Sequence, residues 1–169
     1  MVRALVGIDG SELSRHAARR ARAVLRDGAR LTLVTVVKPP PPTTIGAGDV
    51  TPMGVYVEDA REDQLGSMVR EAEAELVAWA GELEIDPVDT VVLPGDPGPT
   101  LCDHAASGRF DVVVVGSHGT GMLKQVLLGS VSQHVLHHAH CLVLVVPDDT
   151  AGHRAGGLLH RRRSRPAGP

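Results

Sequence analysis

Apolar residues along this chain come in two rhythms. Short runs dominated by Val, Leu, Ile and Ala occupy residues Ala4 to Ile8, Leu31 to Val37, Val88 to Leu93, Asp111 to Val115 and Leu142 to Val146. Such runs read as strands buried on both faces. Between them apolar residues return every three or four positions. Leu13, Ala17, Ala21, Val24 and Leu25 form one side of a helix whose other side carries Arg15, Arg19, Arg22 and Arg26, and Gly28 stops it. A second helix spans Asp59 to about Leu83, with Leu65, Met68, Val69, Ala72, Leu76 and Ala80 on one side. A third starts near Thr100 and ends around Gly108, and a fourth runs from about Ser130 to Ala139. Strand and helix alternate throughout, so the chain is expected to be α/β: a single doubly wound five-stranded parallel sheet with helices on both faces.

Two stretches escape this rhythm. Lys38 to about Glu58 dissolves into Pro39-Pro40-Pro41-Pro42, Thr43-Thr44 and scattered glycines, which predicts a long inserted loop at 38–58 with a stiff start. After Pro147 the chain turns to Ala, Gly, Arg and Pro, so 148–169 is expected to be a basic, disordered tail behind a domain of residues 1–147.

The overall charge of −3 hides an asymmetry: residues 150–169 hold five Arg and no acid, which leaves 12 basic against 20 acidic residues in the rest. An acidic body provides no footprint for DNA, so no nucleic-acid partner is expected. Aromatics make up only 2% of the chain, which argues against a site built on aromatic stacking. Cys102 and Cys141 fall in no metal or redox spacing, and the first strand-like run begins at once, without a signal-peptide pattern. No apolar run approaches the ~18 residues of a membrane span. A cytoplasmic protein with reduced thiols and no membrane contact is expected.

The candidate chemistry lies after the fourth strand, in Gly116-Ser117-His118-Gly119 and Gly129-Ser130-Val131. Glycine loops and helix N-termini present backbone N–H groups that attract phosphate. In an open α/β sheet the crevice lies at the carboxyl ends of the strands where their order reverses. With the first strand beside the fourth, Asp9-Gly10-Ser11 would form its other side. The spacing is neither the dinucleotide fingerprint, which must open directly into a helix, nor a Walker loop, since no Gly-Lys-Ser/Thr occurs.

Gly116-x-x-Gly119, nine residues, then Gly129-Ser130 resembles the G-2x-G-9x-G-S/T motif of the ATP-binding branch of the universal stress proteins. Val6-Gly7-Ile8-Asp9-Gly10-Ser11, Gly95-Asp96-Pro97 and Leu127-Leu128-Gly129-Ser130-Val131 fit the family pattern in the same order, so the resemblance covers about residues 2 to 147. It implies the adenine-nucleotide alpha hydrolase-like fold and ATP, alone or with Mg2+, as ligand. Asp9, Gly10, Ser11 and the backbone around Val36 would meet the adenine end. Gly116, Ser117, His118 and Gly119 would border the ribose and phosphates, Gly129, Ser130 and Val131 would hold the phosphates, and Gly95 belongs to the same site pattern. The resemblance also implies a homodimer through the last strand, Cys141 to Val146.

No catalytic residue is assigned. His118 has no carboxylate placed in sequence to orient it, and a solvated loop histidine is the plainer reading. His134, His137, His138 and His140 include one i, i+4 pair but lack the intervening Glu of a zinc helix, so no metal site is expected. Binding without efficient turnover is therefore the leading expectation, beside a weak ATP hydrolase or autophosphorylating enzyme and a nucleotide-free dimerisation module.

Overall fold

The structure is a computed structural model that describes residues 1–25, 28–41, 53–83, 88–119 and 128–148, with side chains from 60 onward in the segment that opens at 53. Among these residues nine elements follow in strict alternation: β1 (Val2–Gly7), α1 (Glu12–Leu25), β2 (Ala29–Val37), α2 (Met53–Glu82), β3 (Val88–Pro94), α3 (Pro97–Ser107), β4 (Val112–Gly116), α4 (Ser130–His138) and β5 (Leu142–Val146). All four strand pairings are parallel, in the order β3-β2-β1-β4-β5. The order reverses at β1, whose neighbours are β2 on one side and β4 on the other.

The two faces of the sheet bury separate apolar clusters. On one, Ala4, Val6, Leu31, Leu33, Val112 and Val114 meet the small side chains Ala17, Ala18 and Ala21 of α1 and Leu76 of α2. On the other, Leu5, Val34, Val113 and Val115 meet Leu101, Cys102 and Ala105 of α3 and Val135 of α4. Successive strand residues point to opposite faces, and the side-chain period of two divides them this way. Burial raises the thiols of Cys102 and Cys141, which leaves both as packing groups.

Several boundaries differ from the sequence expectation. Residues from Met53 onward are helical, so α2 begins inside the stretch read as the 38–58 loop. Gly54 suggested a break, but a helical glycine costs only about 1 kcal/mol and a 30-residue helix absorbs that. Residues 42–52, like the tail 149–169, lie outside the described residues. The α3 helix opens at Pro97 rather than near Thr100; proline suits a first turn, where its missing N–H has no helical acceptor to lose. Val24 is 58% exposed rather than part of the buried side of α1, because Ser14, Ala17, Ala18 and Ala21 supply that side and bring the helix close to the sheet.

The sheet edges differ. On β3, Asp89 forms a two-pronged pair with Arg30 of β2, at 2.7 and 3.1 Å, and Pro94 ends the strand. Hydrogen bonding from that guanidinium holds the Asp89 carboxyl below its ordinary range. Charge and proline are edge guards. The sequence of β5, Leu-Val-Leu-Val-Val, carries neither, and Leu142 is 75% exposed.

Candidate nucleotide-binding cleft

The β1 strand hands over to α1 through a turn of hydrogen bonds. Gly10 takes φ +86°, a conformation that glycine adopts without a Cβ penalty. Asp9 Oδ1 accepts from the Ser11 N–H at 3.1 Å and from its hydroxyl at 2.6 Å. The Ser11 Oγ in turn accepts the Ser14 N–H at 3.1 Å, which caps the first turn of α1. Ser11 is thus occupied in holding Asp9.

The other carboxylate oxygen of Asp9 reaches across to the loop after β4. A Cβ built on Gly119 would lie 2.5 Å from Asp9 Oδ2, so only glycine lets the two segments approach this closely. Gly116, the last residue of β4, is similarly confined by Leu13 Cγ at 3.0 Å and the His118 carbonyl at 3.1 Å. Behind this loop, the Ser117 carbonyl accepts the Gly129 N–H at 2.7 Å and the Ser132 hydroxyl at 3.0 Å. The ends of the loop are thereby laced together at the start of α4. Gly129 is the N-cap of α4 and brings no capping side chain, so the helix presents its first turn, at Ser130 and Val131, to the cleft.

The cleft, of about 450 Å³, lies at the carboxyl ends of β1 and β4, where the strand order reverses. That volume lies within the usual range for small-molecule sites. Of the twelve residues singled out from sequence, Asp9, Gly10, Val36, Gly116, His118, Gly119, Gly129, Ser130 and Val131 line it. Ser11, Ser117 and Gly95 do not. Ser117 is 5% exposed and supports the loop from behind, its hydroxyl 3.0 Å from His118 Nδ1. Gly95 serves the turn from β3 into α3: its φ is +151°, its N–H donates to Val37 O at 2.9 Å, and a Cβ there would collide with Thr100 Oγ1.

A further wall comes from α2, through Ala72, Glu75, Leu76 and Trp79. These positions, at i, i+3, i+4 and i+7, form one helical stripe. Trp79 is the protein's single tryptophan, so the low aromatic content, which argued against aromatic sites, obscured one that faces the cleft. The Arg15 guanidinium stacks on this indole, 3.8 Å from its centroid, and pairs with Glu12 at 3.0 Å and Glu82 at 3.9 Å. The only sequence signal for this wall was the apolar period that includes Ala72 and Leu76, and it reads equally well as core.

The histidines of α4 point elsewhere. His134 and His138 stack at 4.1 Å, and His138 Nδ1 donates to the His134 carbonyl at 2.8 Å near the helix end. Among the described residues no three His, Cys, Asp or Glu side chains are grouped to hold a metal. None of the described helices is long and apolar enough to cross a membrane.

The sequence pattern of the universal stress protein family matches residues 1–147. A universal stress protein of Mycolicibacterium smegmatis is 34% identical over 151 residues, 88% of this chain and 49% of that protein. The chain therefore spans about half the length of that relative, and a Synechocystis universal stress protein is 49% identical over 53 residues, 31% of this chain and 49% of that protein. YxiE of Bacillus subtilis is 30% identical over 146 residues, covering 84% of this chain and 96% of its own. Among solved structures, MJ0577 superposes with a TM-score of 0.67 at 23% identity, over 86% of this chain and 95% of its own. A universal stress protein in complex with cAMP gives 0.51 at 22% identity, over 86% and 95% of the two chains. An Arabidopsis thaliana family member with AMP bound gives 0.50 at 17%, over 92% and 98%. With its five-stranded parallel sheet, its glycine-bordered cleft and a family match that runs from the first residue through β5, the chain belongs to the universal stress protein family.

Proposed function

We propose that this protein binds an adenine nucleotide, ATP alone or with Mg2+, in the cleft between the β1 and β4 strand ends, and acts as a nucleotide-dependent stress-response module. The observation that carries this reading is the approach of Gly119 to Asp9, which joins two segments distant in sequence beside the open first turn of α4. Backbone N–H groups and the helix dipole favour phosphate at Ser130 and Val131. The AMP- and cAMP-bound relatives support the ligand class.

Gly129 gives the reading a clean probe. A Cβ there meets only ordinary contacts, 3.4 Å from His118 Cα and 3.5 Å from Ser117 O, and its φ of −73° suits any residue. The fold itself does not demand glycine at 129. Calorimetric titration with ATP should give saturable heat with the wild type and at least about a tenfold weaker affinity with Gly129→Val, at a melting temperature near that of the wild type. No heat with the wild type, or undiminished affinity in the variant, rejects the reading.

Binding without efficient turnover is the form proposed. Efficient phosphoryl transfer requires charge positioned at the transferred group, and ATP turnover by the wild type no faster than in buffer is the outcome expected.

The unguarded β5 edge supports a homodimer in which Cys141 to Val146 pair with the same strand of a second copy. Sedimentation should give a dimer for the wild type and a shift toward monomer for Leu142→Asp, which sets two like charges at the shared edge. A wild type that sediments as a monomer at tens of micromolar rejects this assembly.

A further inference from the structure

Ser117 stands where the cleft meets the edge of the sheet. It follows Gly116, which pairs with Val146 in the register of β4 and β5, and its own N–H donates to the Val146 carbonyl at 2.8 Å. Its carbonyl accepts the Gly129 N–H at 2.7 Å and the Ser132 hydroxyl at 3.0 Å, where α4 begins. One residue thus ties the end of β5 to the first turn of α4. Ser117, Ser132 and Val146 are 5%, 2% and 4% exposed, so water cannot take over either tie, and a buried group that loses its partner bears the full cost of desolvation.

A second, apolar link runs beside it. Val131 and Val135 of α4 pack in one cluster with Val143 and Val145 of β5. On the strand itself, the Leu142 N–H donates to the Asp111 carbonyl and the Val146 carbonyl accepts from Ser117, so the even-numbered residues address β4. Backbone groups alternate between the two sides of a strand, which turns those of Val143 and Val145 toward the open edge. The end of the strand offered to a second copy is therefore held by the residue that also holds the anion-attracting turn.

We infer that nucleotide occupancy of the cleft and pairing of β5 with a second copy are coupled through Ser117, each strengthening the other. This regulation of the site rests on the nucleotide and homodimer readings above. A phosphate held by the Ser130 and Val131 N–H groups restrains the first turn of α4, and with it the Ser117 peptide groups and Val146. Pairing of β5 restrains the same residues from the other side. Whichever event comes second acts on a segment already ordered, so it costs less conformational entropy. By thermodynamic linkage the coupling is equal in both directions.

The test measures both directions. The dimer dissociation constant of the wild type is taken by sedimentation without nucleotide and with saturating ATP, and ATP affinity is taken by calorimetry on the wild type and on Leu142→Asp. ATP is expected to tighten the dimer about fivefold or more, and Leu142→Asp to bind ATP more weakly by the same factor, with a melting temperature that shows it folded. Hydrogen exchange should show the Ser117 amide of the wild type gaining protection when ATP is added. Ser132→Ala removes one of the two donors to the Ser117 carbonyl and should bring the coupling factor to within about twofold. The wild-type measurements stand whether or not Ser132→Ala folds. A dimer constant that ATP leaves unchanged, although ATP binds and the dimer forms, overturns the coupling and leaves both readings intact. A factor that survives in folded Ser132→Ala overturns the route through Ser117. A wild type that binds no ATP, or forms no dimer, overturns the underlying reading as well.

Discussion

Gly116, Gly119 and Gly129 build one side of the cleft with almost no side chain, whereas Glu75, Leu76 and Trp79 build the other with little else. The first wall is backbone. Its position follows from the Ser117 carbonyl, which holds both the Gly129 N–H and the Ser132 hydroxyl, and from the contact between Asp9 and Gly119. The second wall is a helical stripe whose residues can be exchanged without moving the helix axis. A backbone wall suits a feature shared by all ligands of one class, such as a phosphate chain. A side-chain wall suits the feature that tells those ligands apart.

Substitutions on the two walls should therefore differ in kind as well as in size. The largest effect is expected from Gly119→Val. Its Cβ would sit 2.5 Å from Asp9 Oδ2, and Asp9 cannot turn away without breaking the two bonds that Ser11 donates to it. We expect ATP affinity to fall by more than about a hundredfold, equivalent to about 2.8 kcal/mol, with every nucleotide affected alike. Retained binding would mean that the loop and Asp9 do not share a ligand. Trp79→Leu comes last for affinity, within about threefold, since an apolar contact remains. Its cost is expected in stability instead: losing aromatic area and the Arg15 contact should lower the unfolding free energy by about 1–3 kcal/mol in urea titration. Affinity loss in Trp79→Leu exceeding that in Gly119→Val would invert the comparison.

Much of this was legible in the chain. Runs such as Val112 to Val115 have one structural solution in a domain of this size, a strand buried on both faces, and their alternation with helices dictates parallel pairing. The glycine spacing and Asp9 were legible for a related reason. Backbone conformation and close approach restrict residue identity at the position itself, so a pattern in one stretch carries the information. Gly95 shows the limit of that reasoning. Its glycine is required, but by Thr100 and a φ of +151° rather than by the cleft. The start of α2 at Met53 was missed because proline and glycine punctuation outweighed a helix that tertiary packing on β2 and β3 sustains.

The α2 wall was illegible for a deeper reason. Ala72, Glu75, Leu76 and Trp79 share a stripe by helical period alone, but period does not say whether that stripe faces the core, the cleft or solvent. Leu76 faces the core and the cleft together, while Val77 beside it is 59% exposed. Short-range chemistry along the chain was sufficient for the strands, the parallel sheet, the turn at Asp9 to Ser11 and the glycine positions that follow β4, because each is decided by residues a few positions apart. The docking of α2 on β2 and β3, the pairing of Trp79 with Arg15 and the facing of the Ala72 to Trp79 stripe into the cleft depended on packing between separate elements of the chain. Those contacts come into being only when the sheet is assembled.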